Sequence, residues 1–201
     1  MLFRELTRKN QQISTEECVE LLRKETRGIL SVNGENGYPY AMPMNHFYNV
    51  DDGCIYFHCG KVGHRLDALK QSDKVSFCVC EKGYRDEGEW AYNVRSVILF
   101  GRMEIIDDIN EIIRITTKLC HKFTCDEDYI RAEIENYGQA TLLLKLSPEH
   151  ICGKLVKEFL LKSLRDNSLP CLLQSREATF IPWLVTSSSI FKASITASSN
   201  L

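Results

Sequence analysis

With 201 residues the chain has room for one domain and a short appendage. Its 44% hydrophobic and 26% charged residues suit a globular protein in water, and a net charge of -2 favours neither nucleic acid nor an anionic membrane surface as partner. No apolar run approaches the roughly 20 residues that span a bilayer. Charge enters at once in Met1-Leu2-Phe3-Arg4-Glu5, so the expected location is cytoplasmic.

The first expected element is a helix opened by Ser14 and Glu17, a capping-box pair, with Cys18, Leu21 and Leu22 at helical spacing. Gly28 is expected to end it, before a strand at Ile29-Leu30-Ser31-Val32. Asn33-Gly34-Glu35-Asn36-Gly37 predicts a hairpin turn, because Asn and Gly accept the positive φ that such turns demand. The return strand runs from about Tyr38 to Tyr48. Pro43 interrupts it and lacks an N–H for the ladder, which places it at an edge or a bulge.

After the turn Asp51-Asp52-Gly53, Cys54 to His58 predicts a third strand and about Gly63 to Gln71 a short helix. Val75 to Cys80 alternates as a fourth strand, and Lys82 to Glu89 is a charged loop. Ala91 to Ile106 is a long strand region with Val97 to Phe100 at its heart and Gly101 as a bend. Ile109 to Phe123 and about Asp126 to Tyr137 are expected helices. Ala140 to Leu146 is a last core strand, with His150 to Lys157 extending the sheet. About six strands joined mostly by hairpins, with helices at the periphery, suggest a mainly β antiparallel barrel. Residues 1–158 form the expected domain. Beyond it, 159–201 is serine- and aliphatic-rich without a period, and is expected to be an accessory tail.

Nine cysteines form neither a secreted disulfide framework nor CxxC pairs with metal-site spacing. No metal site is expected. Cys78 and Cys80 share one face of a strand, which suits small core residues.

Phe57-His58-Cys59-Gly60-Lys61-Val62-Gly63-His64-Arg65-Leu66 combines what an anion site needs: a strand end, two glycines, a helix start and three basic side chains. Arg65 can grip two phosphate oxygens, while Lys61 acts as a point charge. An ordinary glycine turn with solvated bases satisfies the same pattern, and neither GxxxxGK[ST] nor GxGxxG is present. Tyr40 to Tyr48 offers Met42 and Met44 on one face and Pro43 and Asn45 on the other. That arrangement suits the faces and edge of a flat heteroaromatic ring, or simply a sheet strand with methionine gap-fillers.

The order Gly28-Ile29-Leu30-Ser31, Tyr38 to Asn45, Ile55 to Gly60, Gly63 to Leu69 and Ser96 to Gly101 resembles the pyridoxamine-phosphate-oxidase-like FMN-binding split barrels, especially their nitroimidazole-resistance branch. The resemblance spans about Leu21 to Lys157. It implies a six-stranded split β-barrel that forms a homodimer with FMN at the subunit interface. Met42, Pro43, Met44 and Asn45 would then line the flavin ring. Phe57, His58 and Cys59 would lie beside the ribityl chain and ring, His64 and Arg65 would hold the phosphate with help from Lys61, and Ser96 and Val97 would contribute from the long strand. The oxidase members often carry a hydroxyl residue where His58 stands and a lysine where Arg65 stands. The expected function is transfer of electrons from NAD(P)H through FMN to a small acceptor such as a nitroaromatic or quinone, with His46 or His58 as proton donor. The alternatives are a low-turnover flavin- or haem-binding protein for storage, sensing or protection, and a barrel without cofactor.

Overall fold

The computed structural model describes residues 3–158. The expected tail at 159–201 lies outside the described residues.

Helix α1 (Thr15–Lys24) starts where the capping box places it. The Ser14 amide donates to Glu17 Oε2 at 2.8 Å, and the Glu17 amide donates to Ser14 Oγ at 3.2 Å. Gly28 does not end this helix; it lies inside β1 (Arg27–Asn33). The reason is packing, since a Cβ there would fall 2.4 Å from Phe77 Cζ and 2.6 Å from the Cys78 carbonyl oxygen.

β1 returns into β2 (Pro39–Asn45) through the expected hairpin, with Asn36 at φ 56° and Gly37 at φ 78°. Register runs from Asn33 opposite Pro39 to Arg27 opposite Asn45. Pro43 is tolerated because β2 is an edge strand.

The remaining strands are β3 (Phe47–Tyr48), β4 (Ile55–Gly60), β5 (Lys74–Cys80), β6 (Tyr92–Ile106) and β7 (Thr141–Glu158). They form one antiparallel sheet in the order β2-β1-β5-β6-β7-β4-β3. Seven strands therefore replace the expected six, because the single return strand to Tyr48 is broken at His46 into β2 and β3.

That break closes the architecture. β2 and β3 occupy opposite edges of the sheet, yet only His46 separates them. One intervening residue spans about 7 Å between flanking Cα atoms, so the sheet must curl until its two edges meet. No ladder joins β2 to β4 across that seam, and the result is a split barrel. A register shift between Phe100 and Gly101 bends β6 where the glycine suggests a bend. A Cβ on Gly101 would lie 2.2 Å from the Ser147 carbonyl oxygen.

The barrel interior holds Leu30, Met42, Phe57, Phe77, Val79, Val97, Leu99 and Leu144. Cys78 and Cys80 are not in it. The inward face of β5 is Val75, Phe77 and Val79, which turns both thiols outward. The same alternation leaves Ile98 and Phe100 of β6 partly exposed. Three helices complete the domain. α2 (His64–Gln71) follows β4. α3 (Ile109–Cys120) and α4 (Glu127–Tyr137) fill the connection from β6 to β7, capped by Asp108 and Asp126. Ile112 and Ile115 of α3 pack with Cys54, Tyr56 and Leu143 in a second apolar cluster.

Candidate functional site

Arg27, Pro43, Met44, Asn45, His58 and Arg65 line an open cleft of about 350 Å³ at the seam between the barrel edges. Each wall follows from local sequence. β1 and β2 present Arg27 and Asn45 side by side through hairpin register, and the Arg27 Nε donates to Asn45 Oδ1 at 3.0 Å. On β4 the pleat sends Phe57 and Cys59 inward and His58 outward. Arg65 comes from the first turn of α2, which Gly63 opens at φ 129°, a backbone conformation that L side chains rarely adopt.

The cleft favours an anion. Its wall carries two guanidiniums and no carboxylate. Arg65 Nη1 donates only to the Met44 thioether sulfur, a weak acceptor, and its Nε is buried with no partner among the described residues. The guanidinium thus lines the cleft with N–H groups left unspent among the described residues. Arg65 belongs to the first turn of α2, where orphan amides and the positive end of the helix dipole lie close to its backbone. Partial desolvation in the cleft and the nearby Arg65 charge lower the His58 pKa, which favours the neutral ring with its one donor and one acceptor.

Of the sequence-predicted contacts, the structure brings Pro43, Met44, Asn45, His58 and Arg65 to the cleft. The side chains of Met42, Phe57, Cys59 and Val97 point into the barrel core, and burial pushes the Cys59 thiol up. Ser96 lies between Cys80 and Lys154 on the strands flanking β6, away from the cleft. Lys61 forms an exposed ion pair with Asp107, Nζ to Oδ1 at 3.2 Å. His64, at the N-terminus of α2, stacks its ring on Tyr40 at 4.2 Å between centroids.

His46 is not placed to hand a proton to any ligand. It is fully buried, its ring packs edge-on to Phe77, and its Nε2–H donates to the Leu22 carbonyl oxygen at 2.9 Å. Burial and the nearby Lys122 charge push its pKa down to about 3. The orphaned Nδ1 is then a lone pair rather than a second N–H. His46 serves instead at the crossing between β2 and β3. Lys122 donates there to the carbonyl oxygens of Glu25 at 2.6 Å, His46 at 3.1 Å and Leu22 at 3.5 Å.

Two residues escaped the sequence reading. Arg27 was legible in principle, because a hairpin centred on residue 36 puts it opposite Asn45. Lys122 was not, since its partners are backbone carbonyls far away in the chain.

The family profile described as pyridoxamine 5'-phosphate oxidase matches residues 14–155. Among solved structures, a provisional 5-nitroimidazole antibiotic resistance protein from Bacteroides thetaiotaomicron superposes with a TM-score of 0.60 at 19% identity, covering 73% of this chain and 87% of that one. A conserved hypothetical protein from Mycobacterium tuberculosis gives 0.63 at 18% identity, covering 75% and 90%. An FAD and heme binding protein from Mycobacterium smegmatis gives 0.57 at 19% identity, covering 88% and 96%. At these identities the likeness is one of fold. No curated protein matches the chain in sequence.

Proposed function

Because the chain belongs to the pyridoxamine 5'-phosphate oxidase family, we propose that it is an FMN-dependent oxidoreductase whose cofactor lies in the seam cleft. The observation that carries this reading is Arg65: a guanidinium in the wall of a cleft lined by no acid, with a thioether as its one acceptor among the described residues. A phosphate monoester satisfies that donor set, with His64 and the first amides of α2 as neighbours.

When bound, FMN would supply the redox chemistry for passing electrons from NAD(P)H to a nitroaromatic or quinone. The chain's residues supply position. Pro43, Met44 and Asn45 line the cleft wall that would hold the flavin ring. The Arg27–Asn45 hydrogen bond fixes the amide's orientation, leaving its N–H groups for the ring edge. His58, neutral at working pH, holds one proton on its ring and presents it as a hydrogen bond. It positions and polarises rather than acting as a strong acid.

The cofactor site is completed by a second copy of the chain, consistent with the modest volume offered by one protomer. The outward row Ile29, Cys78, Ile98 and Cys152 runs in register across β1, β5, β6 and β7. Ile29 and Ile98 are 43% and 40% exposed, the composition of a face that packs against its own copy.

The test is an absorption spectrum of the purified full chain, followed by anaerobic addition of NADH and then NADPH. A flavin spectrum that bleaches and returns on adding a nitroaromatic supports the oxidoreductase. Flavin that neither nucleotide bleaches leaves only a binding protein, and failure to take up FMN refutes the cofactor assignment.

A further inference from the structure

A second chamber of about 230 Å³ opens beside the seam cleft, between α3, α4 and the start of β7. It shares Asn45 and His58 with the cleft, so the two cavities meet at those side chains. Its walls are apolar: Ile113, Leu119, Phe123, Tyr129, Ile134 and Tyr137. Four of these are large hydrophobics held 40–59% exposed: Ile113 on α3, Phe123 in the α3–α4 connection, and Tyr129 and Tyr137 on α4. Polar groups are few. The Thr116 hydroxyl is buried in the wall with no hydrogen-bond partner among the described residues, and Glu133 contributes a carboxylate. The lining carries no lysine or arginine.

The two cavities therefore sort ligands by charge. The cleft has two guanidiniums and no acid, while the chamber has an acid and no guanidinium. We propose that the chamber binds the substrate ring: an uncharged, flat aromatic or quinoid molecule of one ring or a compact fused pair, lying against Tyr129 and Tyr137. Its role as the electron acceptor's site rests on the flavin reading above, whereas the binding site itself does not. The size is suitable, since a cavity of roughly 150 Å³ already accepts benzene. The meeting point at Asn45 and His58 puts the ring beside the cofactor's place. Anionic rings are disfavoured, because Glu133 would face their charge in apolar surroundings.

The experiment is ligand-observed saturation-transfer NMR on the full chain, with and without FMN. The matched probes are 4-nitrobenzyl alcohol, which is neutral, and 4-nitrobenzoate. The alcohol is expected to bind the flavin-free protein roughly tenfold or more tightly than the benzoate. Ile113→Trp, at a half-exposed position where bulk fills the chamber without straining the core, is expected to weaken alcohol binding roughly tenfold. FMN affinity is expected to stay unchanged in that variant. Glu133→Gln is expected to narrow the gap between the two probes. Equal binding of both probes, or alcohol binding that survives Ile113→Trp, overturns the proposal. So does a chamber that binds neither probe while Ile113→Trp shifts the sedimentation coefficient, which would make it a contact between copies. Failure of FMN uptake with intact ring binding would refute the flavin reading and leave the chamber standing.

Discussion

Replacing Arg65 by alanine is the sharpest perturbation of the proposed phosphate anchor. Among the described residues the side chain's partners are a thioether sulfur at Nη1 and nothing at Nε, so the free protein has little to lose when it is removed. In the complex it would make charge-assisted hydrogen bonds to phosphate oxygen. Losing such a contact costs about 1.5–3 kcal/mol, which raises the FMN dissociation constant roughly 10- to 150-fold. Arg65→Lys keeps the charge but not the fork, and is expected to fall between wild type and alanine. Quenching of flavin fluorescence gives the affinities, and thermal unfolding of the flavin-free protein reports on the fold. Riboflavin provides the decisive comparison, because it carries the same ring and ribityl chain without the phosphate. Arg65→Ala is expected to leave riboflavin binding unchanged and to shift flavin-free stability by no more than about 0.5 kcal/mol. The reasoning fails if FMN affinity survives the substitution, or if riboflavin weakens as much as FMN.

Other outcomes follow from the same structure. The folded-state pKa of His46, near 3, lies below its ordinary 6.5. The unfolded chain therefore binds the proton first, and this residue's contribution is intact above pH 6.5 and lost as pH falls toward 3. The integrated loss from pH 7 to pH 4 is about 3 kcal/mol, and urea unfolding of His46→Gln should show that much less pH dependence over the same range. Gly101→Ala drives a Cβ into the Ser147 carbonyl and is expected to cost about 1–3 kcal/mol. Gly60→Ala meets nothing within 4 Å and should stay within about 0.5 kcal/mol, so equal melting temperatures for the two variants would contradict the packing at the bend. Ile98→Asp puts a charge into the centre of the proposed dimer face, where wild type should sediment as a dimer and the variant as a monomer with FMN affinity reduced. A wild-type monomer that binds FMN fully would remove the second copy from the site.

Local signals in the sequence carried far because the elements they specify are local. The Ser14–Glu17 box, the Asn33 to Gly37 turn and the alternation of Val75 to Cys80 each depend on residues within a few positions of one another. So does the strand–glycine–helix junction from Phe57 to Leu66. What they could not settle is direction. A period of two divides a strand into two faces without saying which one is buried, so Cys78 and Cys80 were assigned to the core that Phe77 and Val79 occupy. Gly28 was given to a helix end because its packing partner, Phe77, comes from a strand far along the chain. His46 looked like a titrating group near a ligand until the break between β2 and β3 buried it against the end of α1.

The cleft itself belongs to tertiary structure. Sequence alone determined a mainly β chain, a hairpin turn at Asn33 to Gly37, and a basic helix start after Gly63. Curling of the sheet then brought the β2 edge to the β4 edge, so that Asn45 and His58 face one cavity and Arg65 closes it. The same curling let β6 and β7 hold α3 and α4 beside that seam, forming a chamber that no motif announces. The physical reason is that hydrogen-bond registers and caps are fixed by neighbours in the chain. A cavity is fixed by which surfaces the closed barrel leaves unfilled.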